Sequence, residues 1–137
     1  MAGGVIVDAN VLLDILTADP HWLAWSSAEL RNARAAGAIL VNPIICAEVA
    51  PAFDFDWQRI DVWLSQAGMV QEPLPVAAST VAAAAHREYR TRGGLREKPL
   101  PDFFIGAHAE VARCTLLTRY RTYFPKVQLI CPGVDLG

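Results

Sequence analysis

Long apolar runs are missing from this sequence. Although 53% of its 137 residues are hydrophobic, no segment reaches the ~18 consecutive apolar residues that a membrane-spanning helix needs. Low-complexity tracts, polar linkers and internal repeats are missing as well, so a single compact domain over residues 1–137, with a real core, is expected. No basic residue precedes the first apolar run, so the N-terminus does not read as a secretory signal. Cysteine is scarce. Cys46, Cys114 and Cys131 are odd in number and no two sit at a metal-binding spacing, which points to reduced, mostly buried thiols in a cytoplasmic protein. A strong charge of either sign is also missing, and a net charge of −2 argues against an unselective nucleic-acid binder.

The distribution of charge says more than its sum. Residues 1–86 hold three basic and nine acidic side chains, whereas residues 87–126 hold nine basic and four acidic ones. An acidic site beside a cationic rim would give this asymmetry, and so would solvated helix faces that happen to differ.

Short apolar runs alternate with helical patterns. Val5–Val7, Ile39–Val41, Met69–Gln71, Thr115–Leu117 and Val127–Ile130 read as buried strands. Helices are expected over Trp22–Ala36, ended by Gly37, and over Ile44–Ala50, ended or kinked by Pro51. A third follows Asp56 as cap and carries Trp57, Ile60, Trp63 and Leu64 inward as far as Gly68. Val76–Arg90 and Pro101–Arg113 complete the set. The alternation implies an α/β sandwich around a mainly parallel central sheet flanked by helices.

Open α/β sheets bind ligands beyond the carboxyl ends of their strands. Asp8 stands there after the first strand, Glu48 just after the second, and Asp102 in the first turn of the helix before Thr115–Leu117. Each has an ordinary explanation, as a helix-start acid or a solvated helical one. Taken together they suggest a hard-metal site, because clustered carboxylates repel one another unless a cation neutralises them. Oxygen ligands favour Mg²⁺ or Mn²⁺, ions that activate water for attack on a phosphate. Arg90, Arg92, Arg96, Arg119 and Arg121 are the candidates to hold flanking phosphates. His21, His86 and His108 form no triad with any Ser or Cys and read as surface or packing residues.

Three blocks resemble a known family. Val7-Asp8-Ala9-Asn10-Val11-Leu12-Leu13-Asp14 is similar to the opening of PIN domains, in which the first Asp holds the metal. Asn42-Pro43-Ile44 through Ala47-Glu48-Val49 resembles the second block, and Leu100-Pro101-Asp102-Phe103-Phe104-Ile105-Gly106-Ala107-His108-Ala109 the third, as it stands in VapC-type toxins of toxin–antitoxin pairs. Gly93-Gly94 and Leu117-Thr118-Arg119 fit the same subgroup.

The resemblance implies a PIN-like three-layer sandwich and a Mg²⁺- or Mn²⁺-dependent endoribonuclease that cuts structured RNA such as tRNA or rRNA. It further implies a homodimer and a cognate VapB-like antitoxin that reaches into the site. Asp8, Glu48 and Asp102 would be the metal-holding catalytic acids, with Asn10 orienting the first of them and Thr118 bonding nearby. One departure stands out. A fourth acid is expected two residues after Thr118, and Tyr120 occupies that position. Either the loop is shorter here, or an acidic segment is missing between Arg119 and Tyr120; the mobility of loops beside active sites favours the second.

Other readings fare less well. A haloacid-dehalogenase-like phosphatase needs an Asp where Asn10 stands, and a receiver domain needs paired acids near the first strand and a well-placed lysine, which neither Lys98 nor Lys126 supplies. The stronger rival is a catalytically weakened PIN domain that only binds RNA or an antitoxin.

Overall fold

The structure, a computed structural model, describes residues 4–93 and 98–132; Arg96 and Gly94 lie outside the described residues. Five short strands, β1 (Val5–Val7), β2 (Ile39–Val41), β3 (Met69–Gln71), β4 (Thr115–Leu117) and β5 (Leu129–Ile130), form one sheet in the order β3-β2-β1-β4-β5. Every pairing is parallel. The helices α1 (Ala9–Leu16), α2 (Leu23–Ala36), α3 (Pro43–Val49), α4 (Trp57–Gln66), α5 (Ala77–Thr91) and α6 (Leu100–Ala112) flank it, and a 3₁₀ turn covers Ala50–Phe53. The expected α/β sandwich with a parallel sheet is the observed architecture.

Strand positions follow from side-chain chemistry. Ile6 and Val7 of β1 are wholly buried, as suits a central strand with neighbours on both sides. Val41, Ile45, Leu64, Phe103 and Leu117 join them in a single core. The chain builds β1, β2 and β3 outward in one direction, then returns to add β4 and β5 on the other side of β1. The strand order therefore reverses between β1 and β4. In an open parallel sheet the crevice beyond the carboxyl ends at such a reversal is where ligands bind, because the two connections diverge there.

Caps fix the helices that matter. Asp8 adopts an extended backbone and its Oδ1 accepts from the Ala9 amide at 2.7 Å, starting α1. Asn42 caps α3 by accepting from the Ile45 amide at 2.9 Å, with Pro43 in the first turn. Helix α6 begins after Pro99, carries Asp102 in its first turn and ends on Arg113 in the left-handed region.

Helix α1 departs from the sequence expectation, which placed no helix between the first strand and Trp22. Its eight residues are apolar apart from Asn10 and Asp14, a pair at the i, i+4 spacing of a helix that the short run made easy to pass over. Strand β5 is shorter than Val127–Ile130, because Val127 still belongs to the turn, its amide donating to the Phe124 carbonyl. Pro51 does not kink α3; it sits in the first turn of the 3₁₀ segment that follows.

Candidate functional site

A cleft of about 510 Å³ opens at the reversal point between β1 and β4. Asp8, Glu48 and Asp102 all line it, with Asn10, Thr118, Lys98, Tyr120 and Arg121. Three carboxylates separated by some forty or more positions along the chain thus face one space, each from a different element: the end of β1, the last turn of α3 and the first turn of α6.

Asp8 is the best-anchored of the three. Its Oδ2 accepts from the Thr118 hydroxyl at 3.0 Å, while Oδ1 is held by the Ala9 amide. The Asn10 side-chain amide donates to the same Thr118 oxygen at 3.2 Å, and Asn10 Oδ1 accepts from the Arg119 backbone amide at 3.0 Å. Asn10 and Thr118 thereby lock the residues after β1 to those after β4. Burial raises the Asp8 pKa above the ordinary carboxylate value, the Thr118 and Ala9 bonds oppose that shift, and the charge of Asp102 adds to it.

Glu48 feels its neighbours more. Partial withdrawal from water, then the charges of Asp8 and Asp102, push its pKa up to about 7. The residue as a whole is exposed, so the carboxyl is only partly desolvated and solvent screens part of this effect. The mutual repulsion is the property a cation would relieve. Among the described residues, however, no three His, Cys, Asp or Glu side chains stand in a closed metal-holding group. The acids share the cleft without forming a finished cage.

The expected acidic segment between Arg119 and Tyr120 does not exist: the chain is continuous there. The Tyr120 amide donates to Thr118 Oγ1 at 3.2 Å, closing a tight turn. The residues that follow lie directly on α6. A Cβ on Gly106 would meet the Phe124 ring at 2.3 Å and Thr122 Oγ1 at 3.0 Å, so only glycine admits this approach. Among the described residues the cleft has three carboxylates, and Tyr120 occupies the place where the resemblance called for a fourth.

The arginines fall into three groups. Arg121 lines the cleft. Arg90 and Arg92 lie at the end of α5, where Arg92 pairs with Glu88 at 3.0 Å. Arg119 turns to other partners. Its Nε lies 2.9 Å from Oδ2 of Asp14, which also accepts from the Ser26 hydroxyl at 2.7 Å. That Nε has no aligned hydrogen bond, so the contact is an ion pair approached off the N–H axis. Its guanidinium also lies 5.1 Å from the Trp22 ring centroid and 5.3 Å from that of Tyr120.

Sequence reading missed two contributors, Lys98 and Asp14. Lys98 lines the cleft but was submerged in a general basic segment. Asp14, 3% exposed, stood in the opening block with no role assigned to it. Its burial is legible only once α1 is known to be helical, which puts it on the inner face with Val11. His108, expected in a packing role, lies buried on α6 against Asn42.

Comparison with known proteins agrees with this geometry. The family model described as PIN domain matches residues 5–127. No curated protein sequence matches the chain significantly. Among solved structures the chain is similar to VapBC2 from Rickettsia felis bound to a promoter DNA fragment, with a TM-score of 0.72 at 16% identity, covering 93% of this chain and 97% of the other. It is similar to DNA-bound VapBC from Salmonella typhimurium, with a TM-score of 0.68 at 14% identity over 94% and 98% of the two chains. It is also similar to FitAcB from Neisseria gonorrhoeae, with a TM-score of 0.61 at 21% identity over 94% and 98%. At these identities the likeness is one of fold.

Proposed function

The chain belongs to the PIN-domain family, and we propose that it is a metal-dependent endoribonuclease toxin of the VapC type that cuts structured RNA such as tRNA or rRNA. The observation that carries this reading is the meeting of Asp8, Glu48 and Asp102 in one cleft at the point where the strand order reverses.

The residues present fit a hard divalent cation. The donors on offer are carboxylate oxygens, which suit Mg²⁺ or Mn²⁺ better than a thiolate- or imidazole-seeking ion. Withdrawal from water, with the charges of Asp8 and Asp102 added to it, lifts Glu48 to about 7, and a positive charge would relieve both. Asp8, Glu48 and Asp102 would hold it. Bound there, such an ion supplies an activated water and offsets charge growing on the phosphate.

The chain's own side chains do the rest. The Thr118 hydroxyl and the Ala9 amide fix the two oxygens of Asp8, and Asn10 fixes Thr118. Arg121 and Lys98 supply positive charge on the cleft wall for the flanking phosphates. Arg90 and Arg92 at the end of α5 are further candidates for phosphate contacts, Arg92 with Glu88 as its partner in the free protein.

A cognate VapB-like antitoxin is the proposed partner. The structures sharing this fold are named as VapBC and FitAB assemblies, and a cationic antitoxin side chain could pair with the cleft acids in place of the metal. A homodimer in the cytoplasm completes the proposal. Among the described residues, no helix is long and apolar enough to cross a membrane.

Expressing the protein and sequencing the 5′ ends of cellular RNA tests the substrate class. New ends at a defined position in tRNA or rRNA, absent with Asp102→Asn, support the reading. Tyr120 in the place of an acid favours the second reading, a PIN domain that binds RNA or an antitoxin without cutting. RNA retained on the protein with no new ends would establish that one instead.

A further inference from the structure

Tyr120 is exposed to 59%, an unusual setting for a large ring that contributes nothing to the core. It stands on the wall of the cleft that holds Asp8, Glu48 and Asp102. Yet it is not a loose surface residue. Its amide is bonded to the Thr118 hydroxyl, the same oxygen that donates to Asp8. Its ring is in cation–π contact with the Arg119 guanidinium, which in turn contacts the Trp22 ring.

Arg119 is itself immobilised. Its side chain is 18% exposed and its Nε lies 2.9 Å from the buried carboxylate of Asp14, which Ser26 holds by a second contact. Asp14, Arg119, Trp22 and Tyr120 therefore form one continuous support running from α1 and α2 up to the cleft wall. Exposed tyrosines elsewhere on a protein lose rotamer freedom when they bind something. Here much of that cost has already been met by folding.

We propose that Tyr120 is a base-stacking platform, the ring on which one unpaired nucleobase of the RNA lies while its neighbouring phosphate enters the acidic cleft. The inference rests on the nuclease reading given above. It deepens that reading by assigning the site a preference for a base that is not stacked in a duplex. Every base has a π-face, so an aromatic platform recognises unpaired residues with little regard to sequence. Arg121 and Lys98, on the same cleft, supply positive charge for the phosphates on either side. A duplex keeps its bases stacked on one another and offers none to the ring.

The test is fluorescence anisotropy with a short labelled single-stranded RNA and the same strand annealed to its complement, in Mg²⁺, on the Asp102→Asn protein so that the strand stays whole. Tyr120→Phe and Tyr120→Trp are expected to bind the single strand as the parent does. Tyr120→Ala and Tyr120→Leu are expected to bind it about tenfold more weakly, the usual scale for losing one base–aromatic stack. Binding of the annealed duplex should change little in any variant. Thermal melting of each variant guards against a folding defect, and the exposure of the ring leads us to expect similar midpoints. If the single strand binds the parent and all four variants equally, the platform is refuted while the nuclease reading stands. If Tyr120→Ala loses antitoxin and not RNA, the ring is a protein contact and the inference is likewise refuted. If no form binds RNA, the nuclease reading falls and the platform with it.

Discussion

The side-chain amide of Asn42 lies 3.0 Å from Nδ1 of His108 and ties the start of α3 to the middle of α6. Asn42 Oδ1 is already engaged by the Ile45 amide, so its nitrogen faces the ring and donates, and His108 accepts as a neutral imidazole. Burial lowers the His108 pKa in keeping with this, against a small opposite effect of Glu72. Because α3 carries Glu48 and α6 carries Asp102, this one buried bond sets the two helices that supply acids to the cleft against each other.

Asn42→Ala should therefore cost stability twice over, by removing the cap of α3 and by leaving His108 Nδ1 buried without a donor. Each loss is on the scale of ~1 kcal/mol or somewhat more, so a total of about 2 kcal/mol is expected from urea unfolding. A change within experimental error would mean that the bond contributes nothing.

Helix α1 shows where sequence reading stopped. The eight residues after Asp8 are apolar except for Asn10 and Asp14, and a single i, i+4 pair in so short a run is a weak signal between helix and strand. The other elements were legible because capping residues, Gly or Pro bounded them, as Asn42 and Pro43 bound α3. The three acids were legible because each follows a strand or opens a helix. Their common support was not: the pairing of Asp14 with Arg119 joins residues 105 positions apart, and no local pattern announces it. The idea of a missing acidic segment failed for a related reason. The close approach of Phe124 to Gly106, which lets the short turn after Thr118 close directly on α6, is a tertiary fact.

Removing Arg119 tests that support. Arg119→Met keeps most of the volume but leaves the Asp14 carboxylate, 3% exposed, with Ser26 as its remaining side-chain partner. Stranding a buried charge in this way costs about 3 kcal/mol or more. Chemical denaturation should show a loss of that size, and Asp14→Asn in the same background should recover part of it. No recovery would separate the two residues energetically.

The raised pKa of Glu48 gives a pH dependence with a definite sign. Its folded value of about 7 lies above the ordinary 4.5, so the folded state holds the proton more tightly. Its contribution to stability is greatest below pH 4.5 and declines as pH rises through the folded pKa. In chelator, wild-type protein should lose stability relative to Glu48→Gln between about pH 5 and pH 8. Comparing the two forms removes the opposite contribution of His108, whose lowered pKa favours the folded state as pH rises above its folded value. Parallel stability profiles for the two proteins would show that the three acids do not repel one another in solution.

The central claim is that Asp8, Glu48 and Asp102 cut RNA through a bound divalent cation. The most direct measurement is cleavage of purified tRNA and rRNA in Mg²⁺ or Mn²⁺, followed by end mapping, for wild type and Asp102→Asn, with and without chelator. Asp102 lies on the exposed first turn of α6, and its replacement by Asn removes charge but little volume, so the fold should survive. Wild type is expected to cut at a defined site only with the ion present, and Asp102→Asn to lose cleavage by about 100-fold or more, as for loss of one electrostatic contributor to a phosphate transition state. Cleavage that persists in chelator, or that Asp102→Asn retains in full, would contradict the account.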